Sequence, residues 1–105
     1  MLIPKSFNLF GHTITVEYQS DLYFESDSLG RTDYRTYRII LQPSLETYPI
    51  SQELQEQIFV HEVLHWIFFF LGENNLRENE NLIDLIANML VQVDRSSIIL
   101  YNGNI

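Results

Sequence analysis

The residues best placed to do chemistry lie past the middle of the chain, where His61-Glu62-Val63-Leu64-His65 spells HExxH. Side chains at i and i+4 project from one face of a helix, so imidazoles at 61 and 65 can grip one ion without help from a loop. Glu62 stands one step round from His61, within reach of a water at that ion, whose proton it can take. Neutral imidazole nitrogen suits Zn²⁺, and two such ligands leave room for a third protein ligand and a water. A lone histidine on an apolar face is most simply a core residue. Two at this spacing around a glutamate point to a metal.

The third ligand is approached by elimination. The only other histidine is His12, far upstream at an expected strand start, and Phe68 and Leu71 occupy the Gly and His places of the extended HExxHxxGxxH pattern. Four acids downstream are available: Glu78, Glu80, Asp84 and Asp94. Glu80 shares a helix face with Ile83, Ala87 and Leu90, so it is expected to point inward, where a cation would offset the burial of its carboxylate; the plainer reading of it is an ordinary first-turn acid. Asp84, one turn on, faces nearly the same way and could hydrogen-bond the outer nitrogen of His61 or His65. Glu78 at a helix start and Asp94 near its end are expected to be solvated. Ala87 would let the two helices approach closely.

These residues need helices to hold them. Over 51–71 apolar residues recur at helical spacing, Ser51 is an N-cap candidate and Gly72 a natural C′ residue. A second helix is expected over 78–95, with Leu82, Ile83, Ile86, Met89, Leu90 and Val93 as its apolar stripe. The first half reads as strands: a short one at 6–10, a turn at Gly11, a second at 13–18, a loop or wide hairpin over 21–32, and a strand over 34–42 that Pro43 ends. The tail, 96–105, could pair as a strand or pack on the core through 98–101. The expectation is one α+β domain over 1–105, a small N-terminal antiparallel sheet packed on two helices.

Composition narrows the function. Six Lys plus Arg stand against fourteen Asp plus Glu, a net charge of −8, which argues against nucleic acid or an anionic membrane as partner. With no cysteine there is no disulfide, thiolate nucleophile or Cys-ligated zinc. Residues 1–10 hold one Lys and are interrupted by Pro4 and Asn8, unlike a signal peptide, and the apolar run 66–71 is too short to span a bilayer. A soluble, cytoplasmic protein is expected.

His61-Glu62-Val63-Leu64-His65 followed by Asn79-Glu80-Asn81-Leu82-Ile83-Asp84 resembles the gluzincin arrangement of zinc metallopeptidases, HExxH and then a helix bearing ExxxD. The plan looks like the very small single-domain minigluzincins and the small HExxH proteins of bacterial and prophage genomes. The resemblance implies a zincin-like fold, Zn²⁺ on His61, His65 and Glu80, Glu62 as general base and acid, and Asp84 in support of a ligand histidine. The interval from His65 to Glu80 is shorter than in large gluzincins, and no downstream histidine is present to stabilise an oxyanion. Tyr34, Tyr37, Tyr48 and Tyr101 could substitute.

The expected function is zinc-dependent hydrolysis of peptide bonds. A peptide or flexible protein segment would lie along a sheet edge formed by the strand at 34–42. Two other readings stay open. The chain could be a catalytically silent or latent zinc-binding domain, the segment 98–104 filling its cleft. It could also be an interaction or oligomerisation protein with a chance motif, using Trp66, Phe68, Phe69 and Phe70, although plain core packing accounts for that cluster more simply.

Overall fold

The computed structural model describes residues 1–100. The chain opens with a hairpin of β1 (Ser6–Leu9) and β2 (His12–Tyr18), in which Leu9 pairs with His12. The two residues between them, Phe10 and Gly11, have φ of 50° and 79°, the left-handed pair that matches the twist of a tight hairpin. Gly11 adopts it freely, whereas Phe10 is held there with its ring stacked on Phe70 at 5.7 Å.

The stretch 21–32 is not the loop its polarity suggests. It holds a short helix, α1 (Leu22–Ser26), and the start of a strand, β3 (Gly30–Asp33). Leu22 is buried and anchors α1, and the buried Gln42 fastens it from across the sheet. The Gln42 side chain accepts from Tyr23 N–H at 2.9 Å and donates to the Ser20 carbonyl at 2.8 Å. The strand expected over 34–42 is also shorter: β4 is Arg38–Leu41. Asp33 breaks the run by accepting from the N–H groups of Arg35 and Thr36, which closes a turn that ends at Tyr37 in left-handed φ.

The sheet order is β1-β2-β4-β3, and the sheet is mixed, which corrects the antiparallel expectation. Each hairpin is antiparallel, but β2 and β4 meet in parallel, Thr15 opposite Arg38 and Tyr18 opposite Leu41. The cause is the excursion through α1. It carries the chain past the sheet so that β3 returns along the outside and β4 turns back into the middle. The strand at 34–42 therefore has no free edge. The free edge nearest the helices belongs to β3.

The longest helix is α2 (Gln52–Leu71), capped by Ser51 Oγ accepting from Leu54 N–H at 3.1 Å and closed by Gly72 at φ 71°. A single turn, α3 (Asn74–Arg77), precedes α4 (Glu80–Ser96), so the helix expected over 78–95 is broken at its start. The Asn79 side chain caps α4 by accepting from Leu82 N–H at 3.1 Å. Because α2 is apolar almost all round from Ile58 on, it must be covered on two sides. The sheet covers one through Ile14, Ile39 and Leu41, and α4 covers the other through Ile83, Ala87 and Val91. Of the expected α4 stripe, Ile83 is buried, whereas Met89, Leu90 and Val93 face outward. Trp66 is fully buried, and Phe68, Phe69 and Phe70 pack against the same core. The expectation that 98–101 pairs or packs is not met by Ile98, Ile99 and Leu100, which are exposed; Tyr101 lies outside the described residues. Among the described residues no helix is long and apolar enough to cross a membrane.

At one point strand and helix nearly touch. A Cβ on Gly30 would stand 2.6 Å from Cγ2 of Ile58 and 3.3 Å from Cγ of Glu62. The Ile58 methyl is branched at Cβ and cannot swing aside, so Gly30→Ala forces β3 away from α2. A loss of about 1–3 kcal/mol is expected. Urea unfolding checks this, and an unchanged midpoint would show that β3 is not held so closely.

Candidate metal centre

Residues 61, 62 and 65 span an arc of about 100° on α2, so one side of the helix carries all three. That side opens between β3 and the first turn of α4. His61 Nε2 lies 2.8 Å from Glu80 Oε2, His65 Nε2 lies 3.2 Å from Glu80 Oε1, and the two Nε2 atoms are 3.2 Å apart. His61, His65 and Glu80 each aim one donor atom into a space where all three fall within 4.8 Å of one another. Asp84 completes the group, its Oδ1 2.6 Å from His61 Nδ1. A neutral His61 ring donating from Nδ1 to Asp84 keeps Nε2 free as a ligand. Burial pulls the His65 pKa down, which favours the neutral ring a metal needs, while Glu80 and a backbone hydrogen bond with Arg77 pull the other way.

The donor set fits a zinc ion. Ligands at about 2.0–2.1 Å in tetrahedral array stand about 3.3 Å apart, close to the 3.2 Å between the two imidazole Nε2 atoms, and a Glu80 oxygen lies within 4.8 Å of both. Two imidazoles and one carboxylate are also the donor types this ion accepts. One expectation about Glu80 needs correction. Its side chain is 63 % exposed and not buried among core residues. As the first residue of α4 it stands beyond the stripe that Ile83, Ala87 and Val91 bury, so its carboxylate reaches the histidines over the lip of the helix pair.

Glu62 is only 6 % exposed. Burial pushes its carboxyl up to about 7, with Glu80 and Asp84 adding to the rise and His61 and Thr32 opposing it. The Thr32 hydroxyl on β3 donates to Glu62 Oε2 at 3.3 Å. A carboxyl of this kind is poised to accept and release a proton near neutrality. Thr32 carries no signal of this role in the sequence, because the polar stretch 21–32 reads as a loop.

The remaining candidates fall elsewhere. His12 is sandwiched between Tyr37 and Phe70 at centroid distances of 5.0 and 5.1 Å, apart from the cluster. Asp94 pairs with the terminal ammonium of Met1 at 2.9 Å, and Glu78 caps α3. Among the tyrosines, Tyr48 stacks on Tyr23 and Tyr37 on Trp66. Tyr34 is stacked on Phe69 with Arg77 5.3 Å above its ring, and its hydroxyl is raised to about 12 by burial and by the charges of Glu62 and Glu80. Tyr101 and most of the segment 98–104 lie outside the described residues. Ile98, Ile99 and Leu100 stay out of the cleft beside His61. With this geometry in view, no protein-family model, curated protein or solved structure matches the chain.

Glu62 makes the metal-free protein sensitive to pH. Its folded pKa is above the ordinary 4.5, so the folded state holds a proton the unfolded state has lost, and stability falls as pH rises from about 5 to 7. The shift corresponds to on the order of 3 kcal/mol, present in full as a penalty above pH 7. Glu62→Gln removes it. Urea unfolding of both chains without metal, from pH 5 to 8, is expected to show the variant gaining on the parent as pH rises. A constant difference across that range would contradict the burial argument.

Proposed function

We propose that this protein is a zinc-dependent metallopeptidase of the minigluzincin kind, working in the cytoplasm on peptides or flexible protein segments. The observation that carries the reading is the convergence of His61 Nε2, His65 Nε2 and a Glu80 oxygen beside a buried Glu62. When bound, zinc supplies Lewis acidity toward a water and a scissile carbonyl. Glu62 takes the proton of the attacking water and returns it to the departing amine, a transfer suited to its raised pKa. Thr32 orients Glu62 through its hydroxyl, and Asp84 fixes the His61 tautomer. The free edge of β3 runs alongside α2 and offers main-chain hydrogen bonds to an extended peptide. An open site with Glu80 at its lip suits an exposed, extended segment over a folded surface.

Elemental analysis of the purified chain tests the metal, and a peptide screen tests the reaction. About one zinc per chain is expected, lost in His65→Ala and weakened in Glu80→Ala. Glu62→Gln is expected to keep the zinc and lose cleavage by at least about a hundredfold, the scale of a missing general base. No zinc after supplementation would overturn the whole reading. Zinc without cleavage of any peptide would leave a silent zinc-binding domain.

A further inference from the structure

A cleft of about 440 Å³ takes in His61 and Glu80 of the metal cluster and runs on toward the start of α2. Its floor is apolar, made by Leu29, Leu54 and Ile58, and its walls carry Asp27 and Asp84. No lysine or arginine lines it among the described residues. Glu62 turns into the same space with Oε1 unpartnered among the described residues, although the side chain is more than nine-tenths buried. An apolar floor below carboxylates is the complement of a long aliphatic stem with a cationic head.

The charge is local and not merely the chain's net acidity. A second hollow along the same strand is lined by Arg31, Thr32, Asp33, Tyr34 and Arg35, and its one acid is engaged by Arg38 at 3.1 Å. A segment lying along β3 therefore meets carboxylates on one side of the metal cluster and guanidinium groups on the other. Binding a dication at His61, His65 and Glu80 would offset the charge of Glu80 and leave that of Asp27 and Asp84. Asp27 has no cationic partner among the described residues, and its backbone is pinned in left-handed φ by its N–H bond to the Tyr23 carbonyl at 2.8 Å.

We propose that this cleft is a specificity subsite that selects a lysine or arginine side chain of the bound peptide. The inference rests on the metallopeptidase reading for the placement of that peptide, and its test separates the two. Uncharged octapeptides carrying a single Lys, norleucine or Glu, scanned along their length, are measured by fluorescence anisotropy against the zinc-loaded full chain and its variants. At the best position Lys is expected to bind about tenfold tighter than norleucine, with Glu weaker still, and the advantage should shrink as salt rises. Asp27→Asn, which keeps a residue tolerant of positive φ, should cut the Lys advantage to about threefold or less without changing norleucine binding. Asn88→Lys places a cation on the exposed wall of the cleft from a residue that favours helix, and should turn the preference toward Glu. Equal binding of Lys and norleucine, or an unchanged preference in both variants, overturns the subsite. Cleavage that ignores peptide charge sinks the subsite and keeps the peptidase. A Lys preference without cleavage keeps the subsite and sinks the peptidase, and no binding of any peptide sinks both.

Discussion

The structure depends on covering α2 from two sides. A helix that is apolar almost all round from Ile58 to Leu71 cannot stand at a surface, so the sheet takes one flank and Ile83, Ala87 and Val91 of α4 take the other. Neither cover is wide enough to meet the other. The strip left between the edge strand β3 and the first turn of α4 is where His61, Glu62 and His65 emerge. Ala87 matters because a larger side chain there would hold the helices apart, and Gly30 because a Cβ would lift the strand. The position of the site thus follows from packing, and its chemistry from which residues fall in the strip.

Two glutamates on α2, six residues apart, show how packing and function divide that helix. Both are almost fully buried. Burial alone would raise the Glu56 pKa, but Arg95, donating at 2.8 and 3.2 Å, and the Met1 ammonium at 2.9 Å outweigh it, and the carboxyl is held below its ordinary range. Glu62 has one hydroxyl bond and two acidic neighbours, so burial prevails and its pKa rises. The first is a satisfied ion cluster that ties α2 to the far end of α4. The second is a group left under-compensated where proton transfer would use it.

Local features were legible in the sequence and long-range ones were not. Ser51 and Gly72 bound α2 as expected because capping is decided within a few residues. The juxtaposition of His61, His65 and Glu80, with Asp84 behind His61, follows from helical spacing once two helices lie side by side. The parallel seam between β2 and β4 could not be read, because it depends on where the chain returns after α1. Nor could the role of Gln42, a polar residue at the end of a strand whose partners lie about twenty positions upstream. Asp33 was a readable turn signal, but the β-branched and aromatic run after it pointed the other way.

The exposure of Glu80 has the same origin as the small size of the domain. Only fourteen residues separate His65 from Glu80, and they must finish α2, turn at Gly72 and reverse direction through the single turn of α3. What remains is enough to restart a helix at Asn79 but not to build a wall over it. Glu80 consequently occupies the first position of α4, where the helix dipole favours a carboxylate and no apolar neighbour encloses it. A buried Glu80 would need either a cation or a proton before the protein could fold. At the lip, its carboxylate is exposed to solvent and still reaches both histidines. The short connection therefore gives a donor set that can form in advance of an ion, beside a cleft that stays open along the edge of β3.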